Sequence, residues 1–141
     1  MEKPEPTSAG SETRHPRSFG STEYILATVV GILVLVLAAL GGRHVAFDAS
    51  ITLHGVIANS VFTLQGILIL LLFFRRASTS VKVIAALFFL LLVAQIGLGY
   101  SARSTHGTVA IHIPLGAALF GLAGLQIDRI YQATRRLSPI R

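Results

Sequence analysis

Four runs without a single Asp, Glu, Lys or Arg dominate this 141-residue chain: 24–42, 49–74, 83–102 and 104–127. A helix needs about 20 apolar residues to cross the hydrocarbon core of a bilayer, and each run is close to that length. Inside lipid every backbone polar group must be satisfied within its own segment, which a helix achieves and an isolated strand does not. The sequence therefore predicts an all-α membrane protein, a four-helix transmembrane bundle with spans at about 24–42, 51–74, 82–100 and 108–127. Charged residues make up 13% of the chain, about half the fraction usual in soluble domains.

The first span is too long for a signal-peptide core of about 7–15 residues, and a polar segment precedes it, so cleavage is not expected. Residues 1–21 are rich in Pro, Ser, Thr, Gly and Glu. They cannot bury enough surface to offset their ordering entropy, so they read as a disordered cytoplasmic tail. The transmembrane domain is expected at 22–131 and a basic cytoplasmic tail at 132–141. In that last region IDRIYQATRRL can continue the fourth helix along the inner surface, with Pro139 after it.

The net charge of +6 does not point to nucleic acid, because of where the charges lie. With four crossings, Lys3, Arg14, Arg17, Arg75, Arg76, Lys82, Arg129, Arg135, Arg136 and Arg141 fall on one side; only Arg43 and Arg103 fall on the other. This is the positive-inside pattern, and it predicts a multi-pass protein of the cell membrane with both termini cytoplasmic. The basic tail is expected against anionic headgroups.

Laid on itself at an offset of 58, the segment 26–66 aligns with 84–124 without a gap, giving eight identities in 41 positions. Ala27 meets Ala85, Leu33 meets Leu91, Leu40 meets Leu98, Gly41 meets Gly99 and His54 meets His112. Phe62 meets Phe120, Leu64 meets Leu122 and Gly66 meets Gly124. The bundle is thus expected to be two tandem helix-hairpin repeats. An even number of spans separates them, so they run the same way about an axis along the membrane normal. Ser50 and Thr108 also correspond, each a candidate N-cap four residues before its histidine.

His54 and His112 are the candidate site. An ionisable side chain within a span is costly and usually faces the bundle interior. Two at matched depth suggest a shared object, and neutral imidazole is an axial ligand for haem iron. One turn further lie Ala58 and Gly116, small enough for a porphyrin edge to approach; another turn on lie Phe62 and Phe120, expected to pack on the ring. Other readings of the pair are interhelical hydrogen bonding or snorkelling without any ligand, and a non-haem metal. His44, His106 and Asp48 sit in the outer loops and read as solvated, with a metal site as the alternative. His15 lies in the tail and carries no signal.

Gln95, Asn59 and Gln65 are read as interhelical hydrogen-bonding residues, with Gln95 also near enough to reach an axial ring or a propionate. Gly41, Gly42, Gly97 and Gly99 read as close-packing and helix-ending positions. Pro114 breaks the repeat, since its counterpart is Val56. It kinks the fourth helix if that helix starts near Thr108, and is harmless if it starts near Ile113.

Four spans, a histidine near the outer end of the second and the fourth, and the QIGLG stretch at 95–99 resemble one half of haem A synthase. The chain also resembles the small four-span actinobacterial proteins grouped as the DUF6220 type. The resemblance covers residues 22–127 and implies His54 and His112 as axial ligands of haem b. There is one bundle rather than two, so a separate haem O substrate site, and haem hydroxylation, are not implied. With no cysteine in the chain, covalent c-type attachment has no anchor. The expected role is electron transfer between an outer redox partner or the quinone pool and another membrane protein. A cofactor-free structural or accessory subunit of a larger membrane complex is the alternative. A small transporter has no intramembrane carboxylate or broken helix to support it.

Overall fold

The computed structural model describes residues 20–136 and is all-helical over that range. The chain runs as α1 (Ser21–Phe47), α2 (Thr52–Phe74), α3 (Thr79–Ser101) and α4 (Val109–Arg136), with a 3₁₀ turn at His106–Thr108 before α4. All four helices are long and apolar enough to cross a membrane, and the chain is a multi-pass membrane protein. The expected tail at 1–21 lies outside the described residues up to Phe19, and Ser21 already opens α1. The end of the basic tail, with Pro139 and Arg141, also lies outside them, as does His15. Residues 132–136 continue α4.

The glycines expected to end the outward-going helices do not do so. α1 passes Gly41 and Gly42 and ends at Phe47, capped by Asp48 at φ 51°. α3 passes Gly97 and Gly99. In lipid a glycine carries less of its usual penalty, because no water competes for the backbone and the helix is held by its surroundings.

The helices form a ring in which α1 packs on α2 and α4, and α3 packs on α2 and α4; the backbones of the diagonal pairs stay apart. Each helix presents an inner seam with 4-3-4 spacing, the a/d spacing that keeps one stripe facing inward. In α1 the seam is Glu23, Ala27, Val30 and Val34; in α3 it is Val81, Ala85, Phe88 and Leu92. In α2 it is Val61, Gln65, Leu68 and Leu72; in α4 it is Leu119, Ala123, Gln126 and Ile130. Every one of these α1 and α2 positions maps onto its α3 or α4 partner at the same offset of 58 residues. The opposite faces, with Ile25, Ile32, Leu35, Val83, Leu87 and Leu90, are exposed and aliphatic, as a lipid-facing surface requires.

Two apolar clusters fill the interior. One, toward the Arg75 end, holds Ala27, Leu68, Leu72, Val81, Ala85 and Ile130. The other, toward the histidines, holds Val30, Val34, Val61, Phe88, Leu92 and Leu119. In the register of α2 and α4, Gln65 and Gln126 fall between them. Gln65 Nε2 donates to Gln126 Oε1 at 2.8 Å and to the Ala85 carbonyl at 3.2 Å; Gln126 Nε2 donates back to Gln65 Oε1 at 3.2 Å. A buried carboxamide without partners would cost several kcal/mol, and the reciprocal pair removes most of that cost. Gln65 thus takes the interhelical role expected of it, while its partner Gln126 was not anticipated.

The basic end is locked locally. Glu23 is fully buried; its Oε2 accepts the Gly20 N–H at 3.2 Å, closing the first turn of α1. Arg75 Nε lies 3.0 Å from Glu23 Oε1, a charge contact without hydrogen-bond alignment. α2 closes with the Ala77 N–H on the Leu72 carbonyl and the Arg76 N–H on the Phe73 carbonyl. That is a Schellman closure, with Arg76 in the left-handed region at φ 54°.

A double-mutant cycle on Gln65→Ala and Gln126→Ala, read by thermal or denaturant unfolding in detergent, should give a favourable coupling of about 0.6–1.7 kcal/mol. Zero coupling would mean that the two amides do not meet.

Candidate functional site

His54 lies in the first turn of α2 and His112 in the first turn of α4. These are diagonal helices whose backbones do not touch, yet the two imidazoles meet across the bundle. Their ring centroids are 6.3 Å apart with planes tilted by 54°. Both rings are half-buried.

Each ring rests on a glycine of the preceding helix. A Cβ on Gly41 of α1 would lie 3.5 Å from His54 Cε1, and one on Gly99 of α3 would lie 3.1 Å from His112 Cε1. Gly41 and Gly99 are the aligned pair of the internal match; a Cβ would press on the ring at Gly99 and meet it at ordinary contact distance at Gly41. Gly42 and Gly97 meet nothing within 4 Å. Of the four glycines, Gly99 has the tight-packing role.

The polar partners are also aligned, though they differ in kind. His54 Nδ1 lies 3.1 Å from the Leu37 carbonyl of α1. A carbonyl only accepts, so Nδ1 carries the proton and Nε2 keeps its lone pair. Position 95 corresponds to 37. There the Gln95 side chain donates from Nε2 to the His112 carbonyl at 2.9 Å and approaches His112 Nε2 at 3.3 Å. His112 Nδ1 and Gln95 Oε1 are buried without a partner. Gln95 therefore reaches the His112 ring.

The residues flanking the histidines fall differently. Gln95 Nε2 lies 3.0 Å from where a Cβ on Gly116 would be, so Gly116 makes room for the Gln95 amide rather than for an open edge. Ala58 is partly buried. Phe62 and Phe120 point outward, 41% and 49% exposed, and Phe62 stacks on Phe89 with ring centroids 5.0 Å apart. Eight residues of α-helix advance the side chain by about 80° from the starting direction at 3.6 residues per turn. A phenylalanine two turns after an inward histidine has accordingly rotated onto the outer surface.

The caps also diverge from expectation. Ser50 Oγ accepts the Thr52 N–H at 3.3 Å, although Ile51 holds the cap position. Thr108 does not cap: its hydroxyl donates to the Thr105 carbonyl at 2.7 Å. α4 starts at Val109, so Pro114 is inside the helix, where it removes the bond to the Ala110 carbonyl. His44 belongs to the last turn of α1, with Nδ1 against the Ala49 carbonyl at 2.6 Å. Asp48 is exposed. Asn59 is exposed and, among the described residues, makes no side-chain bond between helices. Among the described residues no three His, Cys, Asp or Glu side chains converge as a metal site.

With ring centroids 6.3 Å apart, His54 and His112 are the two side chains that could hold one metal ion between them. Ligation through Nε2 of His54 leaves its Nδ1–H on Leu37, the backbone second shell usual for a metal-bound histidine. Ligation through Nε2 of His112 would require the Gln95 amide, 3.3 Å away, to give way. Protein-family models, curated proteins and solved structures provide no match to this chain.

Gly99→Ala should destabilise the bundle by about 1–3 kcal/mol through overpacking on His112, whereas Gly97→Ala should be neutral. Thermal unfolding in detergent separates the two; equal effects would mean that His112 does not rest on Gly99.

Proposed function

We propose that the chain is a b-type haem protein of the cell membrane, with His54 and His112 as axial ligands, and that it transfers electrons. The observation that carries this reading is the 6.3 Å separation of two imidazoles on diagonal helices. It is supported by the Nδ1–H of His54 held on a backbone carbonyl. Haem, when bound, supplies a one-electron couple at its iron. With both His54 and His112 holding it, the haem would serve electron transfer rather than oxygen chemistry. The Leu37 carbonyl would hold the tautomer of His54, and Gly41 and Gly99 lie beneath the rings, while Gln95 holds the His112 carbonyl. Ala58 and Gly116 lie one turn on, with the Gln95 amide against Gly116. Phe62 and Phe120 face outward and have no part in holding the haem.

In this reading the bundle is two tandem hairpin repeats about a pseudo-two-fold axis. The matched buried seams and the matched glycine seats support it. The end bearing Arg75, Arg76, Lys82 and Arg135 faces the cytoplasm with both termini, by the positive-inside rule. The histidines then lie near the extracytoplasmic surface, within reach of an outer redox partner.

Protein purified from haem-replete cells should show a Soret band that shifts on reduction. His54→Ala or His112→Ala should abolish it, while His44→Ala and Phe62→Ala should leave it intact. Well-folded protein without the band would favour the cofactor-free accessory subunit, in which the histidines only link helices.

A further inference from the structure

The outward faces of the four helices are not alike. α1 shows Ile25, Val29, Ile32 and Leu35, and α3 shows Val83, Leu87, Leu90 and Val93, all exposed and aliphatic. α4 shows Ala110, Pro114, Ala117, Gly121 and Gly124, exposed but without hydrogen-bonding side chains. α2 alone is polar along the middle of its outer face. Thr52, Val56, Asn59, Thr63, Leu70 and Phe73 are exposed, with the half-buried Gly66 between them. They recur at the alternating three- and four-residue spacing of a heptad seam.

The hydroxyls on this face are satisfied within the helix. Ser60 donates to the Val56 carbonyl at 3.1 Å and Thr63 to the Asn59 carbonyl at 3.0 Å. The Asn59 carboxamide makes no hydrogen bond among the described residues. It lies two turns past Thr52, about 10 Å along the helix axis, within the charge-free run 49–74. A shallow, open depression beside it is lined by Val56, Asn59, Ser60, Thr63 and Leu64.

We infer that α2 is the interface of a two-fold homodimer, in which Asn59 of one copy pairs with Asn59 of the other. The choice of a second copy follows from chemistry and symmetry. A carboxamide both donates and accepts, so it complements itself across a dyad. Two copies in one membrane share an orientation, so a dyad along the membrane normal sets α2 parallel to α2 with Asn59 at one level. A single Asn at a seam position is the device that fixes register and pair formation in helix dimers. Thr63 and Gly66 keep the backbones close, as small residues do at helix contacts in lipid. This inference does not depend on haem binding.

The chain contains no cysteine, so single cysteines report cleanly. Full-length Asn59→Cys and Thr63→Cys proteins, oxidised in native membranes, should form a disulfide species of twice the 15.0 kDa chain. Leu90→Cys on α3 and Ala117→Cys on α4 should not. Adding Asn59→Val to the Thr63→Cys chain should raise the dimer dissociation constant about threefold or more. Absence of cross-linking at positions 59 and 63, a stronger product at 117, a product of another mass, or an unchanged constant with Asn59→Val would each overturn the interface.

Discussion

Everything in this bundle depends on how α2 and α4 meet across a diagonal that their backbones leave open. In a four-helix ring the diagonal gap must be filled by side chains, and apolar ones do so for most of its length. At two levels the filling is polar and paired: Gln65 with Gln126 between the two core clusters, and His54 with His112 at the end opposite Arg75. In water such pairs would contribute little. In hydrocarbon an unpaired carboxamide has nowhere else to turn, so the amide pair fixes the relative height and rotation of α2 and α4, while His54 and His112 take their partners from α1 and α3. The amide pair sets the register of α2 against α4, and that register brings the two rings to one depth.

The glycines show how narrowly the upper level is built. Gly41 and Gly99 give each imidazole a seat on the neighbouring helix, and neither serves as a helix stop. The two halves then part ways. Leu37 offers a backbone carbonyl to His54, while Gln95 offers a side-chain amide to His112 and also holds the His112 carbonyl. Gln95 occupies the space Gly116 provides. Pro114 stands within the same turns of α4 and removes a backbone bond there. The half without a local carbonyl for its ring is also the half with a broken backbone ladder.

Fold class was legible because charge-free runs of this length have one stable outcome in lipid. The meeting of His54 and His112 was legible for a related reason: a gapless match places them at equivalent points of equivalent helices. What the sequence concealed was angular. A motif such as H-x3-small-x3-F looks like one face on paper, but each four-residue step turns by 40° more than a full turn. Phe62 and Phe120 consequently end up on the outside. Gln126 and Glu23 were missed because their importance comes from burial. Position 126 is recognisable only once the inner seam 119, 123, 126, 130 is known, and Glu23 stands just ahead of the first charge-free run. The first-turn pattern around Gly20 and Glu23 was the available signal for the latter.

Polar residues within the spans divide by where the amide finds its partner. Gln65, Gln126 and Gln95 all point inward and all donate to groups of another helix. Asn59 is of the same chemical kind and lies in the same helix as Gln65, six residues before it. Six residues turn an α-helix by 600°, which leaves Asn59 about 120° from Gln65 and off the inner seam. Its carboxamide takes no hydrogen bond from α1, α3 or α4 among the described residues. The pairing inferred above would supply a partner from the symmetry of a second copy without any further residue, so the principle that orders the interior would also account for the polar stripe on the outer face of α2.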